Sequence, residues 1–223
     1  MAYTILIGNK NYSSWSLRPW LILRQAGLPF REELVSLQPN ADKATRLARL
    51  PAGRVPCLRD DGRLVWDSLA IAEYLAERHP GLWPADPEAR AWARSISAEM
   101  HSGFQALRNE LTMDVRARRP QRRKNPAVLA DIARVERIWE ETRTRFGAGG
   151  PMLFGAFTIA DAFYAPVAFR FRTYGVTPSG AAGAYLGALL TLPGMLEWEA
   201  AAASDERLSD HDLDVLYPDD PKV

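Results

Sequence analysis

The feature that most limits what this chain can fold into is a change of character between Leu82 and Asp86. Before it, short apolar and β-branched runs alternate with helical patterns. After it, strand signals disappear and helical periodicity continues towards the C-terminus. In the first part, "YTILIG" is a short buried strand, and "SLRPWLILRQAG" carries Leu17, Trp20, Leu21 and Leu23 near helical spacing, with Gly27 as its stop signal. "FREELVSL" alternates as a second strand. "NADKATRLARL" fits a short helix capped by Asn40 or Asp42. "VPCLRDDGRLVWD" makes two short strands around Asp61-Gly62, a dipeptide suited to tight hairpins, and "SLAIAEYLAERHPG" is an amphipathic helix. The order β-α-β-α-β-β-α describes a small α/β sheet domain.

In the second part, "PEARAWARSISAEMHSGFQALRNEL" reads as one long helix, with Asp86 as cap and Pro87 in the first turn. "PAVLADIARVERIWEETRTRF" is a second helix. "TIADAFYAPVAFRFRTYG" is apolar nearly throughout, which predicts a buried central helix. Two shorter helices fit "GAYLGALLTL" and "GMLEWEAAAAS", and the acidic end "DHDLDVLYPDDPKV" reads as a surface tail. The expected division is an α/β domain over residues 1–82 and an all-helical domain over residues 87–223.

Charge and cysteine content narrow the function classes. With 28 basic against 27 acidic residues, no overall field recommends a nucleic acid or a membrane surface as partner. The run "RARRPQRRKN" has no interleaved aromatics and sits between two helices, so it reads as a solvated loop. No stretch reaches the roughly 20 apolar residues of a membrane span. The single cysteine, Cys57, excludes an internal disulfide, fits a cytoplasmic protein, and has no second thiol for dithiol redox work. His79, His101 and His211 are widely spaced, and no metal is expected.

Three short stretches carry candidate chemistry. Pro56 opens a strand in "GRVPCL", either as an ordinary trans proline at a strand start, the commoner case, or with a cis Val55–Pro56 bond that turns the Val55 backbone outward, towards a peptide-like ligand. Asp67 and Ser68 lie at a strand-to-helix junction, with Ser68 well suited as N-cap. A helix N-terminus also attracts a carboxylate and Asp67 an ammonium, which together match an α-amino acid head group. In "NYSSWSLRPWL", Pro19 must fall in the first turn, so the helix begins near Trp15 to Leu17 with Ser13 and Ser14 at its positive end. Those serines either cap the helix or stabilise an anion such as a thiolate. Lowering a thiol pKa by about two units needs roughly 2.7 kcal/mol, the size of one charge-assisted hydrogen bond plus a helix terminus.

Taken in this order, "YSSWSLRPWLILRQAG", "GRVPCLRDDGRLVWDSLAIAEYLAE" and "FTIADAFYAPV" resemble the glutathione S-transferase family over nearly the whole chain. Thr158 and Asp161, three apart, look like that family's buried capping box. The resemblance implies the glutathione transferase fold: an α/β thioredoxin-like N-terminal domain plus an all-α C-terminal helical domain. It is nearest to the serine-type theta and zeta classes. The zeta pattern Ser-Ser-Cys-Ser-Trp-Arg falls on Ser13, Ser14, Trp15, Ser16, Leu17 and Arg18, with Trp15 in place of the cysteine.

By that resemblance the co-substrate is glutathione, with Ser13 as first candidate for the thiol partner, Ser14 second and Tyr12 third. Val55 pairs with the cysteinyl backbone across cis-Pro56, Asp67 and Ser68 hold the γ-glutamyl group, and Arg54 or Lys43 meets the glycyl carboxylate. Trp15 belongs to the glutathione site and also lines the second substrate's pocket, with Tyr12, Met100, His101, Phe104 and Arg108; the helical spacing of the lining is equally that of a core face. The implied protein is a cytoplasmic homodimer acting on a small electrophile. The alternatives are a glutathione-dependent cis-trans isomerase of maleylacetoacetate type and a non-catalytic glutathione- or ligand-binding module.

Overall fold

The structure, a computed structural model, describes residues 3–36 and 48–205. The expected helix over "NADKATRLARL" lies largely outside the described residues, as do Lys43 and the acidic C-terminal stretch.

Strand β1 (Tyr3–Ile7) is central to a four-stranded sheet of order β2-β1-β3-β4, formed with β2 (Phe30–Leu34), β3 (Cys57–Asp60) and β4 (Arg63–Val65). β1 runs parallel to β2 and antiparallel to β3, with Ile5 opposite Leu58. Side chains of a strand alternate between faces. Accordingly Ile5 and Ile7 enter the main core, while Leu6 joins Val35, Leu50 and Cys57 in a smaller cluster. An apolar run without polar alternation is what a strand covered on both faces needs. The β3–β4 hairpin turns at Asp61 and Gly62, both at positive φ (47° and 81°), as the Asp-Gly dipeptide requires.

Helix α1 (Ser14–Gln25) and helix α2 (Ser68–Arg78) pack together beside the sheet. The helices α3 (Pro87–Ser102), α4 (Gln105–Glu110), α5 (Pro126–Phe146), α6 (Ile159–Thr173), α7 (Gly180–Leu190) and α8 (Pro193–Ser204) follow. Asp86 caps α3 through Ala89 N–H at 2.8 Å. The expected single helix from Pro87 onward is broken at Gly103 and Phe104. Phe104 takes a left-handed φ of 59°, and a Cβ on Gly103 would lie 2.9 Å from the Glu99 carbonyl. The glycine therefore marks the end of α3 rather than an interior position.

α6 is the buried central helix that its composition predicts, packed against α1, α3 and α7. Its N-terminus carries the capping box: Asp161 accepts from Thr158 N–H at 2.7 Å and from the Thr158 hydroxyl at 3.1 Å, and its other oxygen accepts from Leu153 N–H at 3.0 Å. Helix α8 closes over α1, with the Trp20 and Trp198 rings 5.0 Å apart. The basic stretch is tied to the helices more than a solvated loop is. Arg118 meets Glu199, Arg119 meets Asp114, and Arg122 meets Glu110. Among the described residues no helix is long and apolar enough to cross a membrane.

Candidate active site

The loop between β1 and α1 brings the serine pair to the seam between sheet and helices. Ser13 holds the N-cap position but its side chain makes no capping bond. Its hydroxyl donates instead to Ser16 Oγ at 2.7 Å, and Ser16 Oγ also accepts from Gly8 N–H at 3.1 Å. Ser14 is the first helical residue. Its Oγ accepts from Arg170 Nη2 at 3.3 Å, which leaves the Ser14 proton free to be donated elsewhere. Both serines are buried, and both line a cavity of about 460 Å³ with Tyr12, Trp15, Arg108, Thr112 and Arg170. The Tyr12 hydroxyl is buried and has no hydrogen-bond partner.

A second cavity of about 340 Å³ holds the other half of the predicted site. Pro56, Trp66, Asp67 and Ser68 line it, and it shares Trp15, Arg54, Val55 and His101 with the first. The Val55–Pro56 bond is cis, and ladder pairing of β3 begins only at Cys57. The cap of α2 is Asp67, not Ser68. Asp67 Oδ1 accepts from Leu69 N–H at 2.9 Å and Ala70 N–H at 3.4 Å. Ser68 moves to the first helical position, where its Oγ is buried without a partner. A buried hydroxyl at a helix N-terminus that the protein does not satisfy is a ready donor to a ligand carboxylate.

His101 joins the two halves. Its Nε2 lies 3.2 Å from Asp67 Oδ2, and its ring meets Trp15 edge-on at 5.4 Å. Burial holds the His101 pKa below its usual value; Arg18 and Arg108 act in the same direction and Asp67 against it. Arg18 is wholly buried between the Trp15 and Phe163 rings, 4.4 and 4.8 Å from its guanidinium carbon. Burial, then Arg108 and Arg170, depress its pKa. Three guanidiniums and the N-terminus of α1 thus make this region favourable for an anion.

Other predicted positions fall elsewhere. Met100 and Phe104 line neither cavity; both are buried in the main core. Lys43 lies outside the described residues. Arg54 lies on the wall that both cavities share. Cys57 is buried in the smaller core, where burial raises its thiol pKa. The sequence did not single out Ser16, Thr112, Met113, Gln105 or Asn109 for the site. Only Ser16 carried a signal, three residues after Ser13 on the same helix face. A further cavity of about 940 Å³ lies around Trp83, Phe146 and Phe157 and contains none of the predicted site residues.

This geometry can be set beside known proteins. Residues 12–78 match the family model for the glutathione S-transferase N-terminal domain, and residues 114–203 match that for its C-terminal domain. Together these cover more than half of the chain. The chain belongs to the glutathione S-transferase family. Among curated relatives, a probable maleylacetoacetate isomerase of Caenorhabditis elegans is 40% identical over 98 residues, covering 43% of this chain and 45% of that one. The maleylacetoacetate isomerase of Rattus norvegicus is 30% identical over 158 residues, covering 68% and 64%. The matched regions thus span less than two thirds of both relatives. A glutathione transferase homolog from Burkholderia gl BGR1, solved with bound glutathione, superposes with a TM-score of 0.69 at 23% identity, covering 92% of this chain and 100% of that one. That likeness supports the glutathione transferase fold: a thioredoxin-like sheet domain followed by a helical domain.

Proposed function

We propose that the protein is a glutathione transferase whose tripeptide lies across both cavities. The observation that carries this reading is the shared wall of Trp15, Arg54, Val55 and His101: amino-acid recognition groups stand on one side and the serine hydroxyls on the other. In this reading Ser68 and the N-terminus of α2 take the γ-glutamyl carboxylate, Asp67 Oδ2 takes the ammonium, and Val55 pairs with the cysteinyl backbone. Arg54 faces the glycyl carboxylate. The thiol then points at the serines. Ser14 is the better-placed donor, because Arg170 already polarises its oxygen; the Ser13 proton is directed to Ser16. Reversing the Ser13–Ser16 bond makes Ser13 a second donor.

The chemistry follows from differential solvation. A thiol of ordinary pKa near 8.5 is mostly protonated at neutral pH. A hydroxyl donor, the α1 terminus and the nearby guanidiniums favour the thiolate, the thiol proton passing to water. The sulfur attacks an electrophilic carbon held beside Thr112 and Met113, expelling its halide or opening its epoxide ring, without a covalent enzyme intermediate. The protein's place is the cytoplasm, as a homodimer.

A second reading, glutathione-dependent cis-trans isomerisation, is favoured by Arg108 and Arg170 in the acceptor cavity, which suit a carboxylate-bearing unsaturated substrate. Free thiol measured during turnover separates the two. Conjugation of an aryl halide or epoxide consumes glutathione, whereas isomerisation of a maleyl compound returns it unchanged. If no thiolate absorbance develops below pH 8 when glutathione is added, both readings fail.

A further inference from the structure

The serines belong to the sheet half of the chain, yet the loop that presents them is bonded to the helical half. Asn11 is 0% exposed. Its Nδ2 donates to Asp114 Oδ1 at 2.7 Å, its Oδ1 accepts from Arg116 N–H at 3.0 Å, and its carbonyl accepts from Val115 N–H at 3.2 Å. On the near side its N–H donates to Asn9 Oδ1 at 2.9 Å, and Ser13 N–H donates to the Asn9 carbonyl at 2.9 Å. The preceding residue is also held from the helical side, because Trp198 Nε1 donates to the Lys10 carbonyl at 2.8 Å. Asp114 is fixed in turn by Ala117 N–H, Arg119 and, at its carbonyl, the Thr173 hydroxyl.

The side chain at position 11 must donate in one direction and accept in the other, at the reach of a single methylene. A carboxylate there puts two acceptors against Asp114, and an apolar side chain removes the nearest donor from the buried Asp114 carboxylate and the Asn11 acceptor from Arg116 N–H. The partner segment also matters. Thr112 and Met113, just before Asp114, line the acceptor cavity, and Arg170 links the Leu111 carbonyl to Ser14 Oγ. The wall that receives the second substrate and the loop that carries the thiol donors are therefore bonded to each other at both ends.

We infer that Asn11 is a positioning residue for thiol activation: through Asp114 it sets the serine loop against the wall of the acceptor cavity. The inference rests on the proposed glutathione chemistry. Neither Asn11 nor Asp114 lines either of the two joined cavities, so neither is placed against substrate.

The test compares Asn11→Asp, Asn11→Ala and the exchanged pair Asn11→Asp/Asp114→Asn with the wild type. Each is followed by steady-state kinetics, by the pH dependence of thiolate absorbance with glutathione bound, and by amide hydrogen exchange. A displacement of the serines of about 1 Å is expected to lower kcat roughly 100-fold. Because Val55, Asp67 and Ser68 are untouched, KM for glutathione is expected to stay within about threefold. The thiol midpoint rises in both single variants, and the Ser13, Val115 and Arg116 amides exchange faster. The exchanged pair restores a donor between the two positions and recovers part of both kcat and the thiol midpoint. Unchanged kcat and thiol midpoint in Asn11→Asp, despite faster exchange at Val115 and Arg116, overturn the inference. So does an exchanged pair no better than Asn11→Asp. Failure of the functional reading has a different signature, since the wild type itself then shows no thiolate, and the inference falls with it.

Discussion

At the scale of single residues, the site is defined by where hydroxyl protons go. Ser13 and Ser14 are adjacent and chemically alike, but their surroundings differ. Ser13 donates to Ser16, while Ser14 accepts from Arg170 and keeps its own proton. Loss of the Ser14 hydroxyl is therefore expected to lower kcat/KM by about 100-fold, the usual effect of removing one donor to a reacting anion. Ser13→Ala is expected to cost about tenfold, since Ser13 acts only after its bond to Ser16 reverses. Kinetics of both variants at saturating glutathione check this, and a larger loss in Ser13→Ala would contradict the assignment. The serine pair was legible in the sequence because it stands between the first strand and an apolar helical pattern. The helix start is not where Pro19 was expected to put it: α1 begins at Ser14, and Pro19 lies inside it as the sixth residue rather than in the first turn. Packing of its neighbours outweighs the one lost backbone bond. The orientation of each hydroxyl was not legible, since it depends on Arg170, 156 positions away in the chain.

At the scale of elements, helix termini decide which groups are satisfied by the protein and which remain for a ligand. Asp67 and Ser68 are both good caps, and their sequence cannot tell which one turns back onto the helix. Asp67 does so, and the Ser68 hydroxyl is released as a result. The capping box was plain from its spacing because both of its partners are local. Met100 and Phe104 were misplaced for the opposite reason: periodicity gives a helix its apolar face but not the direction in which that face looks. At the α6 terminus, burial raises the Asp161 pKa to about 6, although its hydrogen bonds oppose this. The folded-state pKa then exceeds the unfolded one, so the stability this group contributes is fully present below about pH 4 and is lost as pH rises through about 6. Wild-type stability relative to Asp161→Asn should fall by something on the order of 3 kcal/mol between pH 4 and 7. Denaturant unfolding of both proteins at the two pH values measures it, and a constant difference would contradict the burial argument.

At the scale of the whole molecule, sheet and helices share one apolar core. α1 packs against α2, α6 and α8, and its Trp20 ring meets Phe30 of β2. Trp20 packs on Trp198, and a Cβ on Gly194 would lie 2.7 Å from Leu21 Cδ1. A fragment of residues 1–85 exposes these side chains, each of which contributes about 1.5–3 kcal/mol when buried. The fragment is expected to be unfolded by circular dichroism, and a cooperative thermal transition in it would show that the serine loop does not need its helical supports. The sequence showed the change from alternating elements to helices because each element carries its own periodicity. The bonding of loop to helices was hidden, because Asn11 and Asp114 are each unremarkable where they stand in the chain.

The central claim is that a serine hydroxyl at the start of α1 stabilises the sulfur of glutathione. A crystal structure of the protein with reduced glutathione tests it most directly. The account predicts the sulfur within hydrogen-bonding distance of Ser14 Oγ or Ser13 Oγ, with the γ-glutamyl group at Asp67 and Ser68. Sulfur density beyond reach of both hydroxyls, or tripeptide bound outside the two joined cavities, would contradict it.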